Sequence, residues 1–106
     1  MFDLIIRGAS IIDGTGRAAY TGDAAVSGGR IAAVGELGAA EAARVIEARG
    51  RCLTPGFIDI HRHADLAILS PDFGDWELRQ GLTTVVNGNC GLSAAPIRRS
   101  RRAEIA

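Results

Sequence analysis

Residues 55–65 read PGFIDIHRHAD and hold both histidines of a 106-residue chain. A short apolar run from Phe57 leads into His61, and His63 follows two positions later. Side chains at i and i+2 of an extended segment share a face. The spacing therefore predicts a buried strand over FIDI that delivers His61 and His63 to one side and Arg62 to the other. Two imidazoles at the C-terminal end of a strand can hold one metal ion, and imidazole suits zinc, copper, iron or nickel. The plainer alternative is that such a pair serves packing or the surface. Context weighs towards ligation, because an apolar strand ends at the pair, a turn follows, and Asp65 comes two residues later. Asp59 lies on the histidines' face, one step earlier. It has two readings: an acceptor for a histidine's second ring nitrogen, or a strand acid bonded to nearby backbone.

Towards the C-terminus, SPDFGDWELRQG (70–81) predicts a short helix over Asp75–Gln80, capped by Asp75 and stopped by Gly81. LTTVVNGNCG (82–91) is rich in β-branched residues and runs into a glycine-flanked turn. Strand, helix and strand in about thirty residues make a βαβ unit, which requires a parallel sheet. A parallel sheet brings Cys90 to the same end as His61 and His63. A thiolate there is a strong zinc ligand, although a cysteine between glycines also serves purely structural roles. Asn87 and Asn89 could orient the cysteine loop or a substrate, yet asparagine in a turn needs no function. IRRSRRAEIA (97–106) reads as the opening of another helix with a solvated arginine face.

Towards the N-terminus the chain reads as short strands between turns. Leu4–Ile6 is one, and Ile11-Ile12 before DGTG is another. Ala24–Val26 and Ile31–Val34 form a hairpin about Gly28-Gly29. Ala39–Arg44 is expected to be a connecting turn, and Val45-Ile46 and Cys52-Leu53 two further brief strands. Cys52 reads as a buried packing residue. The expected fold is thus mixed: a small β-sandwich or β-sheet segment over 1–54, then α/β structure over 55–106.

Composition narrows the function classes. Hydrophobic residues make up 47% and charged residues 23%, the balance of an ordinary soluble chain. Twelve basic residues offset twelve acidic ones, so nothing favours nucleic acid or an anionic membrane as a partner. All twelve basic residues are arginine, which leaves no lysine here for a Schiff base or a carboxylated metal ligand. Two cysteines are too few for a disulfide framework, and a reducing cytoplasmic setting is expected. No stretch has the length of a signal peptide core or a membrane span.

Taken together, FDLIIRGASIIDGTG, GRIAAVG, VIEARGRCLTPGFIDIHRHAD and GLTTVVNGNCGLSAAP resemble the amidohydrolase superfamily, in its D-aminoacylase (N-acyl-D-amino-acid deacylase) branch. The likeness covers almost the whole chain. PGFID-H-H marks the superfamily at large, and GNCG points to the deacylase branch. The resemblance implies a small β domain (1–54) followed by the start of a (β/α)₈ barrel (55–106). It implies that His61, His63 and Cys90 ligate one or two zinc ions, the cysteine replacing the carboxylated lysine of related branches. Asp59, Asp65 and Asn89 would then support the metal or the substrate. The reaction implied is hydrolysis of an N-acyl-D-amino acid, a small-molecule substrate, with zinc polarising the amide carbonyl and activating water.

The resemblance also implies further ligands and an aspartate base on later barrel strands. A full barrel takes about 250 residues, and roughly fifty follow Pro55. The expectation is therefore an N-terminal portion of a longer enzyme, inactive and poorly folded by itself. The alternatives are a cyclic-amide hydrolase of dihydropyrimidinase or dihydroorotase type, a truncated non-catalytic relative, or a free-standing metal-binding β-domain. Oligomeric state is left open.

Overall fold

The computed structural model describes residues 1–93 and 95–104. They form two compact units, Met1–Pro55 and Gly56–Ala106.

The first unit is a five-stranded mixed sheet. Its strands are β1 (Phe2–Ile11), β2 (Tyr20–Ser27), β3 (Arg30–Gly35), β4 (Ala42–Glu47) and β5 (Cys52–Leu53). The order is β3-β2-β1-β4, with β5 also on β1. The hairpin about Gly28-Gly29 forms as expected. Both glycines have positive φ, at 57° and 73°, which a two-residue turn of this hand requires. β1 runs unbroken from Leu4–Ile6 to Ile11, which were expected in two separate strands, and it pairs antiparallel to β2 along one edge. Along its other edge it pairs parallel to β4 through Phe2–Arg7, and to β5 at Ser10 and Ile11. β4 begins at Ala42, inside the segment expected to be a connecting turn. Backbone pairing to β1 overrides the helix propensity of the alanines there.

The small core of this unit is Ile5, Ala9, Ile11, Ala24, Ala25 and Ala48, with Ile6, Tyr20 and Leu53 packed beside part of it. Cys52 is exposed, contrary to its reading as a packing residue. β5 is a two-residue strand whose alternate side chain, Leu53, takes the packed position. In the DGTG turn, the hydroxyl of Thr15 and then its N–H donate to Asp13 and hold that carboxyl below the usual carboxylate range.

Asp23 on β2 is buried, and its carboxylate has a structural task. The β1–β2 register breaks between Ile6 and Ala9, where Gly8 adopts a φ of 69°. Asp23 Oδ1 accepts the N–H of Gly8 at 2.8 Å, and Oδ2 accepts that of Leu37 at 3.2 Å. Asp23→Ala strands both donors. We expect a loss of about 1–3 kcal/mol, read as a lower urea midpoint at unchanged slope, with Asp23→Asn retaining part of the stability.

The second unit carries the histidines. It contains β6 (Phe57–Asp59), a 3₁₀ turn over Ala67–Leu69, helix α1 (Asp75–Arg79), β7 (Leu82–Val85), and 3₁₀ segments over Asn89–Gly91 and Arg99–Glu104. β6 and β7 pair in parallel, as the strand-helix-strand reading required. Three expectations need correction. β6 is not buried: Phe57 and Ile58 are more than half exposed, because β7 is the one strand beside it among the described residues. Helix α1 is capped by Gly74 rather than Asp75, with Gly74 at a φ of 100° and Glu77 accepting its N–H at 3.2 Å. The arginine-rich segment 99–104 is a 3₁₀ helix; residues 105 and 106, part of the expected helix, lie outside the described residues.

Candidate metal centre

β6 ends at Asp59, so His61 and His63 stand in the segment just beyond the strand instead of on it. The strand alternation that motivated the pair therefore does not operate there, yet the two rings still converge. Their centroids lie 5.4 Å apart with the planes at 69°. Cys90 arrives from the turn after β7, and its Sγ is 3.3 Å from His61 Nε2. The three donor atoms of His61, His63 and Cys90 all lie within 4.8 Å of one another. Among the described residues this is the one gathering of three or more histidine, cysteine or acidic side chains with that geometry.

Donors on one tetrahedral zinc, at bond lengths of about 2.0–2.3 Å, are roughly 3.3–3.8 Å apart. The cysteine–histidine separation already falls in that range, and the donors as a set lie within 4.8 Å of one another. Two imidazoles and a thiolate form a borderline-soft set that suits zinc. All three residues are exposed, so an ion and further ligands can reach the donors.

The loop that presents Cys90 is unusual. Gly88 and Gly91 have φ of 81° and 76°, and Cys90 itself has φ 55° and ψ 24°. It is the one non-glycine residue with positive φ among those described. Such a conformation is disfavoured for a residue with a Cβ, at a cost of about 1–2 kcal/mol. The loop thus accepts strain to aim the sulfur.

The neighbouring polar residues lock the two donor-bearing segments together through backbone groups. Asp59 Oδ1 accepts the N–H of His61 at 3.1 Å, which is the backbone alternative of its two readings. Asn89 Nδ2 donates to the carbonyls of Arg62 at 3.2 Å and Val86 at 2.8 Å. Asn87 Oδ1 accepts the N–H of Ala64 at 3.1 Å. The N–H of Arg62 donates to Val86 O at 3.1 Å. Asp65 stands apart from the donor cluster, half-buried beside a cavity of about 230 Å³ that it lines with Ile68, Asn87 and Ser93.

Sequence reasoning overlooked Glu77. It is one of two buried charged residues among those described, and it ion-pairs with Arg62 while also capping α1. A signal was present: glutamate at the third position of a short helix is placed to reach back to the cap.

The chain matches the amidohydrolase family over residues 44–102. It is 52% identical over 97 residues to the N-acyl-D-aspartate deacylase of Alcaligenes xylosoxydans xylosoxydans, spanning 92% of this chain and 20% of that protein. Among solved structures it resembles the N-acyl-D-glutamate deacylase of Bordetella bronchiseptica in complex with zinc and a phosphonate inhibitor. That likeness has 50% identity and a TM-score of 0.83, over 90% of this chain and 20% of the other. A D-aminoacylase described with a binuclear metal center superposes with a TM-score of 0.85 at 46% identity, over 92% of this chain and 20% of that one. The chain therefore spans about a fifth of the length of these relatives.

Proposed function

The chain belongs to the amidohydrolase family, and from that premise we propose that His61, His63 and Cys90 are zinc ligands in a hydrolase of N-acyl-D-amino acids. The observation that carries the reading is the approach of Cys90 Sγ to His61 Nε2, from two segments 29 residues apart. The sequence supplies only two histidines and two cysteines, and three of those four meet at one point. The relatives named as deacylases of N-acyl-D-aspartate and N-acyl-D-glutamate support a linear amide substrate with a D-configured amino acid.

In this reading residues 1–54 are the opening of a small β domain and 55–106 the first strands of a (β/α)₈ barrel. The exposed apolar side chains of β6 and the parallel β6–α1–β7 unit suit a strand pair that awaits further neighbours. The ligands then stand beyond the C-terminal ends of β6 and β7, the end at which barrel enzymes carry their sites. One or two zinc ions would be held, with the remaining ligands and the general base supplied from outside these 106 residues. When bound, zinc supplies Lewis-acid polarisation of the amide carbonyl and a more acidic water. Asn87, Asn89 and Asp59 hold the ligand segments through their backbone, and Asp65, at the adjoining cavity, is left to contact substrate. A reducing, cytoplasmic setting keeps Cys90 unoxidised and available to a metal.

The test has two parts. Zinc content is measured on the protein, and release of free D-amino acid is followed from N-acetyl-D-glutamate, N-acetyl-D-aspartate and a neutral N-acyl-D-amino acid. The expected result is bound zinc and turnover of at least one of these, with residues 1–106 alone giving none. Ring opening of a dihydropyrimidine or hydantoin instead of linear amide hydrolysis would select the cyclic-amide alternative. No zinc at any pH near neutrality would sink the metal assignment.

A further inference from the structure

Arg62 lies between the two histidines, and its own surroundings are more constrained than theirs. Its guanidinium Nη2 pairs with Glu77 Oε1 on α1, and Nη1 lies 4.0 Å from Asp59 Oδ2. Its backbone N–H donates to Val86 O at 3.1 Å, and its carbonyl accepts from Asn89 Nδ2 at 3.2 Å. One residue is thus fastened at both backbone groups and at both ends of its side-chain fork. Glu77 is equally occupied, since its second oxygen accepts the N–H of Gly74 at the start of α1. Its side chain is only 10% exposed, whereas that of Arg62 is 37% exposed. A carboxylate so deeply set requires a partner, and a planar guanidinium supplies one with a fixed direction.

We propose that Arg62 is a positioning residue for the metal centre, anchored by Glu77, and that this ion pair sets the orientation in which His61 and His63 are presented. The physical ground is the connectivity. His61 and His63 are peptide neighbours of Arg62, both are exposed, and their segment belongs to no strand or helix. Rotation of the Arg62 peptide groups would swing both imidazoles away from Cys90. Helix α1 therefore acts on the metal through Glu77 and Arg62 without touching a donor atom. The inference rests on the zinc reading above and adds to it a determinant in a helix that supplies no ligand.

The test uses the protein with cobalt(II) as a spectroscopic probe and zinc competition against a chelator as the affinity measure. The variants are Arg62→Met, Glu77→Gln, the double variant, and Arg62→Lys. Each of the first two is expected to weaken zinc binding by about 10–100-fold, the range for lost outer-sphere support, and to alter the cobalt absorption bands. The double variant should bind no more weakly than the weaker single one, since both remove the same link. Arg62→Lys keeps charge without the fork, and recovery of part of the affinity is expected. Should Arg62→Met fail to fold, Glu77→Gln decides alone, because its neutral amide oxygen still caps Gly74. Unchanged affinity and unchanged bands in folded variants would overturn the proposal and leave the pair a structural strut. A parent protein that binds neither cobalt nor zinc overturns the zinc reading itself, and the proposal with it.

Discussion

On the zinc-ligand proposal, Cys90→Ala is expected to abolish metal binding while leaving the fold intact, and with it any hydrolysis that the metal supports. Loss of an outer-sphere partner alone costs about 10–100-fold in metal affinity, so deletion of a thiolate from a three-donor cluster should exceed about 100-fold. The backbone makes the experiment sharper. Cys90 holds φ 55° and ψ 24° between Gly88 and Gly91, in a loop that glycine would adopt more easily. Cys90→Gly should therefore be as stable as the parent in metal-free form, or more stable by about 1 kcal/mol, and yet lose zinc as fully as the alanine variant. A gain or retention of stability beside a loss of metal would show that the side chain is kept for its sulfur. Zinc by elemental analysis and the urea midpoint of the metal-free protein are the two readouts. If Cys90→Ala retained full zinc and full activity, the ligand assignment would be wrong.

The second large effect is expected at Gly56. The β6–β7 register steps from Phe57 opposite Leu82 to Ile58 opposite Thr84, so Thr83 is an extra residue in β7. The side chain of Thr83 lies directly over Gly56. A Cβ placed at Gly56 would meet Thr83 Cβ at 2.7 Å and collide with both atoms beyond it. A β-branched residue cannot swing aside cheaply, and its Cβ cannot move without the backbone. Gly56→Ala should cost about 3 kcal/mol or more, at the upper end of overpacking effects. Because β6 leads directly into His61, zinc affinity should fall as well. Thr83→Gly in the same chain should restore most of the loss, since it empties the space that the new methyl needs. An unchanged denaturation midpoint in Gly56→Ala would show that β6 and β7 can separate without penalty.

The sequence made the convergence of donors legible, and for a definite reason. Both donor-bearing segments follow strands of a βαβ unit, and parallel pairing alone carries His61, His63 and Cys90 to one end. The exact extent of β6 did not matter to that conclusion, although the histidines turned out to stand beyond it. Hairpin chemistry was equally readable at Gly28-Gly29, because it depends on residues adjacent in the chain. What escaped was non-local. β4 takes its strand conformation from β1, some forty residues away, and nothing within AAEAAR announces that partner. Glu77 escaped for the same reason: in WELRQ it looks like an acid on a solvated helix, and only the arrival of Arg62 explains its burial.

The divided edge of β1 has a bearing on how the first unit is assembled. One side of β1 is completed by β2, its immediate successor in the chain. The other side waits for Ala42–Glu47 and then for Cys52-Leu53. On a ribosome that extends the chain at about 5–20 residues per second, the first three strands emerge as a meander well before the parallel ones. For that interval the nascent β1 offers an open row of backbone donors and acceptors to any extended segment nearby. The pairings of β1 with β4 and β5 join residues about forty positions apart, and such non-local contacts are the slower ones to form.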